Sequence, residues 1–419
     1  MDNNALLLLA GAKESKQTIG KAGRQGFGVG VYGGDPADLT TMGLSPMQGC
    51  EDPASENYGN YTHTNGSAMV FIPAFCYRIC STKAPSYSRD GANALEIRDA
   101  FKGEGGGWIL HRAFIDGGQQ KLGFFVDKYL CSKDKTGTYA VSEKSRNPIS
   151  LSRHYEDSWS MPGCLGEIRD AITLSRARGE AYACVSAFQW SALSMLSLAH
   201  GQAATSIENC AWYDANHVYN FPKGCNKNLR DYDDINTVFS PHTGNHEYGK
   251  TGSGTPFAKT THNGQVCGVA DVNGCMLQPL LGVYQMTVRG AFGVAKESYS
   301  MHNFTKDNYN TTSNFDSTSG FKGDGLYWGN SSYYVFPTET TGAMRAMCGV
   351  FPISIGNGAG TNLFGFDYAR LYNNVTYAIF AGGSYADGIR AGVWYRNGFD
   401  TPWSSYSDAC GFRAAGYAK

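Results

Sequence analysis

The segment Gly28-Val-Gly-Val-Tyr-Gly33 has the spacing G-x-G-x-x-G, which can cradle the pyrophosphate of a dinucleotide. That chemistry needs a strand before the motif and a helix directly after it, because the helix N-terminus faces the phosphates. Here a run of glycines precedes the motif, and Gly34-Asp35-Pro36 follows it. The sequence therefore predicts a flexible or tightly turning segment and no dinucleotide site.

Two groups of side chains have the residue types of metal ligands. His242 and His246 are four residues apart and Glu247 follows them, but a proline and a glycine within the segment predict a loop. A pair at i and i+4 converges on a metal when it lies on a helix, so no zinc site is expected. The second group is acidic and consists of Asp214, Asp231, Asp233 and Asp234. Calcium is conceivable there, but the spacing is not that of an EF-hand, and a solvated loop is the default interpretation.

The common catalytic signatures are absent from the sequence. It has no G-x-S-x-G elbow, no P-loop and no H-E-x-x-H. Twelve cysteines are spread from Cys50 to Cys410, and none forms a C-x-x-C pair. Small buried thiols are the expected state of such cysteines.

Composition excludes several classes of protein. The 419 residues include 53 Gly, 17% charged residues and 13% aromatic residues, with a net charge of −1. A helical bundle would need more charged and helix-forming residues, and a disordered chain would have fewer aromatic ones. Near neutrality offers no general affinity for nucleic acid. The apolar run Leu6–Leu9 is too short to span a bilayer and follows Asp2 instead of a basic region, so we expect neither membrane insertion nor a secretory signal.

Short apolar runs separated by turn residues predict strands over residues 69–77, 108–114 and 122–129, with the first of these broken or edged by Pro73. Helices are predicted over 166–178 and 186–198, the second opening with the capping box Ser186-Ala-Phe-Gln189 and stopping at Gly201. A boundary is expected near residue 55. Residues 1–55 would form a glycine-rich segment for attachment or oligomer assembly, and residues 56–419 one large α+β domain with long irregular loops.

The last forty residues carry the most specific pattern. The frame Gly382-Gly383-Ser384, Ala391-Gly392 and Gly411-Phe412-Arg413 resembles the closing segment of the C-type-lectin-like fold in its formylglycine-generating-enzyme variety. Residues 123–129 look like that family's early strand, and residues 268–274 look like its D-x-N-G turn, although Cys275 replaces the usual aromatic continuation. The resemblance extends over about residues 60–419.

Two groups of proteins share that frame. The enzymes of the family oxidise a cysteine of sulfatases with two closely spaced cysteines ahead of the G-F-R segment. Here that stretch holds only Cys410, so the resemblance does not imply this enzyme, and no catalytic residue and no cofactor is expected.

The other group consists of the variable proteins of diversity-generating retroelements, which include phage tropism determinants. Error-prone copying of adenines turns AAY codons into a limited residue set that lacks Lys, Glu, Gln, Met and Trp. Residues 379–418 contain no Lys, Glu, Gln or Met, whereas about five would be expected from the chain's own composition. Trp394 and Trp403 would have to come from other template codons. This composition favours the variable proteins, with a diversified region at about residues 380–415.

The resemblance implies a ligand-binding surface on a fixed frame. Tyr and Trp would supply contact area, and Ser and Asn adaptable hydrogen bonds, as in antibody paratopes. The expected contact residues are Ser384, Tyr385, Ala386, Asp387, Ile389, Arg390, Tyr395, Arg396, Asn397, Phe399, Asp400, Trp403, Ser404, Tyr406, Ser407 and Asp408. The expected scaffold residues are Gly382, Gly383, Gly392, Gly411, Phe412 and Arg413, with no metal ligands.

The family's phage members imply a receptor-binding protein at the tip of a tail fibre, in the virion. Its partners would be a bacterial cell-surface receptor, either protein or glycan, other tail proteins and further copies of itself, with a homotrimer as the suggested form. Three alternatives stay open: a cellular binding protein of the same fold, an oxidase of the enzyme group, and an ordinary aromatic-rich β-surface that binds nothing.

Overall fold

Strands make up most of the regular structure and helices are few, so the architecture is mixed α/β. The computed structural model describes residues 17–153, 158–216, 221–244, 246–329, 334–358, 360–372, 376–398 and 402–418. The run Leu6–Leu9 lies outside the described residues. Within these ranges, no helix combines the length and the apolar character that crossing a bilayer requires.

A six-stranded antiparallel sheet contains strands from both ends of the described chain. In spatial order its members are β1 (Leu44–Pro46), β2 (Asn60–His63), β3 (Ala68–Pro73), β9 (Gly123–Asp127), β21 (Ala414–Gly416) and β12 (Tyr182–Cys184). Strand β21 therefore lies between β9 and β12 and pairs with both.

An eight-stranded sheet contains all the strands that the structure describes between Gln278 and Asn397. Its order is β15 (Phe315–Thr318), β14 (Phe292–Ala295), β13 (Gln278–Gln285), β19 (Tyr377–Gly382), β20 (Gly392–Asn397), β18 (Tyr368–Arg370), β16 (Asp324–Trp328) and β17 (Ile355–Gly356). The pairing of β18 with β20 is parallel, and the other pairings are antiparallel.

Smaller β units complete the sheets. A three-stranded sheet has the order β5 (Leu95–Asp99), β4 (Phe75–Ile79) and β6 (Ile109–Leu110). Two short hairpins pair β7 (Ile115–Asp116) with β8 (Gln119–Gln120), and β10 (Ser132–Lys133) with β11 (Ala140–Val141). The expected break at Pro73 is confirmed, because β3 ends there and β4 belongs to another sheet. The strand expected over 108–114 is shorter, since residues 112–114 form a 3₁₀ turn.

The helices are α1 (Pro36–Thr41), α2 (Tyr87–Asp90), α3 (Asp170–Arg176), α4 (Ala187–Ala203) and α5 (Gly342–Ala346). Helix α3 begins later than predicted because Gly166 has a φ of +74° and the Asp170 carboxylate accepts from the Leu165 and Glu167 amides. These contacts hold residues 165–167 as a turn ahead of the helix.

Helix α4 is the central element of the core. Its capping box is confirmed, since the Gln189 amide donates to Ser186 Oγ and the Ser186 amide donates to Gln189 Oε1. All its residues except Ala203 are buried, and it packs against β5, β13 and β20. The predicted stop at Gly201 is wrong, because the Ala204 amide still donates to the His200 carbonyl and carries the helix to Ala203.

The glycine-rich segment of residues 20–34 forms turns over residues 22–28, as predicted, and packs on α4, which was not predicted. The Phe27 ring stacks on the His200 ring at 5.3 Å, and the Gly26 amide donates to Gln265 Oε1 at 2.7 Å. A Cβ on Gly30 would lie 2.4 Å from the Thr18 carbonyl oxygen, so the backbone there faces protein. Helix α1 follows Gly33 after two residues, but the Asp35 carboxylate caps it by accepting from the Ala37 amide, and in the described residues the first strand comes only after the motif.

The expected boundary near residue 55 falls between two paired strands. Strand β1 precedes it, β2 follows it, and Leu44 pairs with His63 within one sheet. Ile19 and Phe27 belong to the same buried core as α4. The part of residues 1–55 that the structure describes is therefore continuous with the rest of the fold.

Candidate functional site

The C-terminal segment expected to carry the site forms two neighbouring central strands, β19 and β20. The residues that join them, 384–390, are here called the 384–390 loop. The Trp190 indole of α4 donates to the Val393 carbonyl at 2.9 Å, so the helix supports β20 from below. The loop is thereby attached to the centre of a sheet and not to an edge.

Close backbone approaches explain two of the scaffold glycines. A Cβ on Gly383, whose φ is +78°, would lie 2.8 Å from Ala391. A Cβ on Gly392 would lie 2.1 Å from both carboxylate oxygens of Asp367. Any larger residue at either position would displace the strand ends that carry the loop.

Asp367 and Lys223 form a buried ion pair beneath the loop. Lys223 Nζ lies 2.6 Å from Asp367 Oδ1, and the Trp394 amide donates to Asp367 Oδ2 at 2.7 Å. Burial raises the pKa of Asp367 to about 7, against the opposing charge of Lys223. The pair ties residue 223, far away in the sequence, to β18 and β20.

Arg413 connects the two large sheets. Its buried guanidinium donates to Gln278 Oε1 of β13 at 2.6 Å and to the Asp127 carbonyl of β9 at 2.9 Å. It also donates to the carbonyls of Ala270 and Asp271, at 2.9 and 2.8 Å. The G-F-R segment and the D-x-N-G turn, which the sequence predicted separately, therefore meet at this side chain. Gly411 and Phe412 are buried beside it.

Five of the expected contact residues are buried in the chain: Ser384, Tyr395, Arg396, Asn397 and Trp403. Arg396 is a core residue, and its guanidinium donates to the carbonyls of Gly349, Val350, Val393 and Tyr395. Burial lowers its pKa to about 9. We therefore leave these five out of the contact surface, because their side chains are used in packing.

Packing also explains the two buried aromatic residues among them. The Trp403 ring lies 5.3 Å from the Tyr309 ring, and its carbonyl accepts from the Arg169 amide. The Tyr395 hydroxyl accepts from Asn397 Nδ2 at 3.0 Å and donates to Asp387 Oδ1 at 3.4 Å. Phe399 and Asp400 lie outside the described residues.

The other expected contact residues remain accessible. Ala386, Arg390, Ser404 and Tyr406 are exposed, and Tyr385, Asp387, Ile389, Ser407 and Asp408 are half-buried. Tyr406 is 60% exposed, and the Arg153 guanidinium lies 5.7 Å from its ring. These nine residues form the candidate surface.

Contacts within the 384–390 loop and contacts from other parts of the chain fix its backbone. Asp387 accepts from the Ser384 amide at 2.6 Å and from Ser384 Oγ at 2.7 Å. The Gly388 amide donates to Asn226 Oδ1, the Lys227 amide to the Tyr385 carbonyl, and the Tyr385 amide to the Cys275 carbonyl. The exposed side chains of Ala386 and Arg390 take no part in these backbone contacts.

Aromatic rings from distant segments surround the loop. Tyr232, 55% exposed, lies against Gly388, and the Tyr368 ring lies 5.0 Å beneath the Arg390 guanidinium. The Tyr248 ring is 6.1 Å from the Tyr385 ring. Sequence reasoning missed these residues, because composition within residues 379–418 cannot show which distant rings border the loop.

Glu247 and Asp408 place negative charge near Tyr385. Burial, followed by the charges of Glu247 and Asp408, raises the pKa of its hydroxyl. Tyr385 therefore stays protonated and can donate a hydrogen bond to a ligand at neutral pH.

The residues considered as metal ligands are arranged for other contacts. The Asp231 carboxylate accepts from the amides of Lys223, Gly224, Asp233 and Asp234, and Asp234 pairs with Lys259. The rings of His242 and His246 pack edge to face at 4.7 Å. Across the described part of the chain, no three His, Cys, Asp or Glu side chains are grouped so that they could hold a metal ion.

Ten of the twelve cysteines are buried, as expected, while Cys80 and Cys164 are half-buried. Sequence reasoning found no thiol pair, but the structure brings Cys225 and Cys275 together, and their mutual hydrogen bond with burial raises the pKa of Cys275. Both thiols are buried. The two cysteines are far apart in the sequence, so no local pattern indicated that they would be in contact.

Comparisons with known proteins find little. No family model matches the chain, and no curated protein matches it. Among solved structures, it is similar to the Major Tropism Determinant U1, I1 and M1 variants at 11, 12 and 10% sequence identity, with TM-scores of 0.29, 0.29 and 0.30. Each match covers 84% of this chain and 63% of the other chain.

Proposed function

We propose that this chain is a receptor-binding protein whose C-terminal region presents a variable contact surface on a C-type-lectin-like frame. The proposal is supported by one observation on the 384–390 loop: the groups that hold its backbone differ from the side chains that it exposes. Backbone and Asp387 contacts hold its path, while Ala386 and Arg390 point outward without a part in those contacts. Side chains there can change without a change in the backbone path.

The amino-acid composition of residues 379–418 supports diversification by a retroelement. Residues 379–418 lack Lys, Glu, Gln and Met, and the accessible positions include Tyr, Arg, Ser and Asp. Tyrosine and arginine supply large contacts, and serine supplies adaptable hydrogen bonds. A reverse-transcriptase gene close to this gene, with a near-copy of codons 380–415 that differs at adenines, is the genomic result we expect. A gene neighbourhood that lacks both the reverse-transcriptase gene and the near-copy would contradict diversification by a retroelement.

We further propose a place at the tip of a phage tail fibre, as a homo-oligomer in which several weak sites act together on one cell. In this arrangement residues 1–55 carry the attachment, and α1 is one exposed part of the described portion of that segment, since it has no buried residue. No cofactor and no catalytic step belong to this function. Detection of the protein in purified virions tests the location, and its detection in cells alone would contradict it.

The binding surface is tested with a triple variant, Tyr385→Ala/Arg390→Ala/Tyr406→Ala, measured for binding to bacterial surface extracts. We expect at least tenfold weaker binding, because the variant removes the largest accessible side chains while the backbone contacts of the loop remain. Tyr334→Ala is the matched control, since Tyr334 is 44% exposed and lies outside the segment. Undiminished binding by the triple variant would overturn the proposed surface.

A further inference from the structure

Two cysteines lie beside the 384–390 loop, in the segments that hold its backbone. The Tyr385 amide donates to the Cys275 carbonyl at 3.0 Å. The two residues that follow Cys225 contact the loop as well. The Lys227 amide donates to the Tyr385 carbonyl at 3.1 Å, and Asn226 Oδ1 accepts from a loop amide at 2.9 Å. Each of the two short segments that hold the loop therefore carries a cysteine.

The two cysteines are neighbours along a short backbone pairing. The Cys275 amide donates to the Cys225 carbonyl at 3.1 Å, and Cys225 pairs with Gly274 in a parallel bridge. Neighbouring strands lie about 4.8 Å apart, and a disulfide joins Cα atoms that are about 4.4–6.8 Å apart. The side chains of the two cysteines also form a hydrogen bond with each other. A disulfide between them therefore requires little movement of the backbone.

The backbone of Cys275 has a conformation that is uncommon for a residue with a side chain. Its φ is +62°, in the left-handed region, and the preceding Gly274 has a φ of +56°. In a regular strand the residue after Gly274 would point to the face opposite Cys225, because successive side chains alternate. The left-handed turn is what allows the Cys275 side chain to meet that of Cys225. Strained backbone of this kind is often kept at functional positions.

The thiol pair belongs to a small apolar cluster that is separate from the main core. Its other buried members are Leu130, Phe239, Tyr248 and Met276, and the half-buried side chains of Leu229 and Tyr385 pack against it. Thiols buried in apolar surroundings stay protonated and react slowly. Since Tyr385 is a residue of the 384–390 loop, opening of this loop uncovers one side of the cluster. Access to the two sulfur atoms is thereby coupled to the loop.

We propose that Cys225 and Cys275 form a reversible disulfide that fastens the 384–390 loop when the protein meets a small-molecule disulfide. One cysteine loses its proton to solvent and attacks a sulfur atom of the reagent, which releases one thiolate and leaves a mixed disulfide. The other cysteine then loses its proton, attacks the mixed disulfide and releases the second thiolate. Two protein thiols are oxidised and one reagent disulfide is reduced to two thiols. The inference does not rest on the proposed receptor-binding function.

The test compares the full chain kept in dithiothreitol with the full chain incubated overnight in excess oxidised glutathione at pH 8. Remaining thiols are alkylated in urea, and peptide mapping without reduction identifies the linked peptides. We expect one major link, between the peptides of Cys225 and Cys275, that dithiothreitol reverses. Hydrogen exchange at residues 384–390 should be at least threefold slower in the oxidised chain. Its thermal unfolding midpoint should rise by about 3 °C or more, because the link restricts the unfolded chain.

Cysteine variants supply the controls. Cys225→Ala should remove both the link and the difference in loop exchange between the two conditions. Cys210→Ala is the matched control, because Cys210 is another fully buried thiol but belongs to the main core, and this variant should keep both effects. Each variant is compared with itself under the two conditions, so a loss of stability from the substitution does not affect the result.

Three results would overturn the proposal. The first is an oxidised native chain without a link between Cys225 and Cys275. The second is a mixture in which other cysteine pairs are linked to an equal extent. The third is a specific link that leaves hydrogen exchange at residues 384–390 unchanged. None of these measurements involves a receptor, so their outcome is separate from that of the binding test.

Discussion

Gly392 lies so close to Asp367 that a Cβ on the glycine would sit 2.1 Å from both carboxylate oxygens. Asp367 cannot withdraw, because Lys223 and the Trp394 amide hold its two oxygens from different sides. The lack of a side chain at Gly392 therefore allows β20 to lie beside β18.

Gly392→Ala should destabilise the protein by about 3 kcal/mol or more, since the new methyl group must displace a buried charged pair. The free energy of unfolding in urea measures this loss. Gly358→Ala is the control, because a Cβ on Gly358 meets nothing within 4 Å. Equal stability of the two variants would contradict the close packing of Gly392 on Asp367.

Arg413→Lys should cost about 3 kcal/mol or more, although the charge is kept. The guanidinium serves Gln278 and three backbone carbonyls at once, and an ammonium group cannot reach all four in that geometry. Urea unfolding followed by tryptophan fluorescence checks the effect. Arg153→Lys, at a residue that is exposed, should change stability by less than about 0.5 kcal/mol. Equal stability of the two lysine variants would show that the Arg413 contacts between the sheets do not stabilise the fold.

Stability should fall as the pH drops below about 6.5, because burial lowers the pKa of His111 and His262 to about 3 and that of His200 to about 4. The unfolded chain takes up these protons first as the pH falls. Each histidine therefore stabilises the fold fully above its unfolded pKa, and this contribution is lost as the pH falls toward its folded pKa. Each histidine contributes a slope of about 1.4 kcal/mol per pH unit in that window. Asp367, whose pKa burial raises to about 7, opposes one such slope because the folded chain takes up that proton first. Urea titrations at pH 7.5, 6 and 5 measure it. A constant unfolding free energy across these values would argue against neutral buried histidines.

Asp387→Ala should loosen the 384–390 loop while leaving the global fold nearly unchanged. The variant removes the acceptor of the Ser384 amide and hydroxyl and the partner of the Tyr395 hydroxyl. Hydrogen exchange at residues 384–390 should quicken at least tenfold, with exchange in β13 and β19 unaffected. Asp387→Asn, which keeps an acceptor oxygen, should give a smaller increase. Unchanged loop exchange in Asp387→Ala would show that other contacts are sufficient to hold the loop.

Thiol labelling of the native protein should modify Cys80 first. Cys80 and Cys164 are half-buried, and burial raises the pKa of Cys164 to about 12, which leaves little of the reactive thiolate. Peptide mapping by mass spectrometry after brief alkylation at pH 8 gives the order. In urea the twelve cysteines should react at similar rates. Native labelling of Cys225 or Cys275 ahead of Cys80 would contradict their burial.

Local features of the fold were accessible from the sequence. The capping box at Ser186, the strand break at Pro73 and the turns of residues 20–34 depend on neighbours within a few positions. The extent of α4 was not accessible, because hydrogen bonding past Gly201 continues inside a buried environment that the glycine alone does not reveal.

The candidate site was accessible only in part. Spacing and composition selected residues 379–418, but could not separate Tyr406, which is exposed, from Tyr395 and Trp403, which are buried. Their burial depends on partners far away in the chain, such as Tyr309 beside Trp403. The ion pair of Lys223 and Asp367 spans 144 positions and has no local pattern.

The placement of β21 between β9 and β12 has a consequence for which polypeptides can complete the sheet. Sequence changes at the exposed positions of residues 384–408 leave this strand intact, whereas a shifted reading frame or an early stop removes it. Its loss would leave β9 and β12 with open edges, which pair with other chains and aggregate. Completion of the sheet therefore requires translation through residues 384–408 as far as β21, because only then do β9 and β12 have this strand between them.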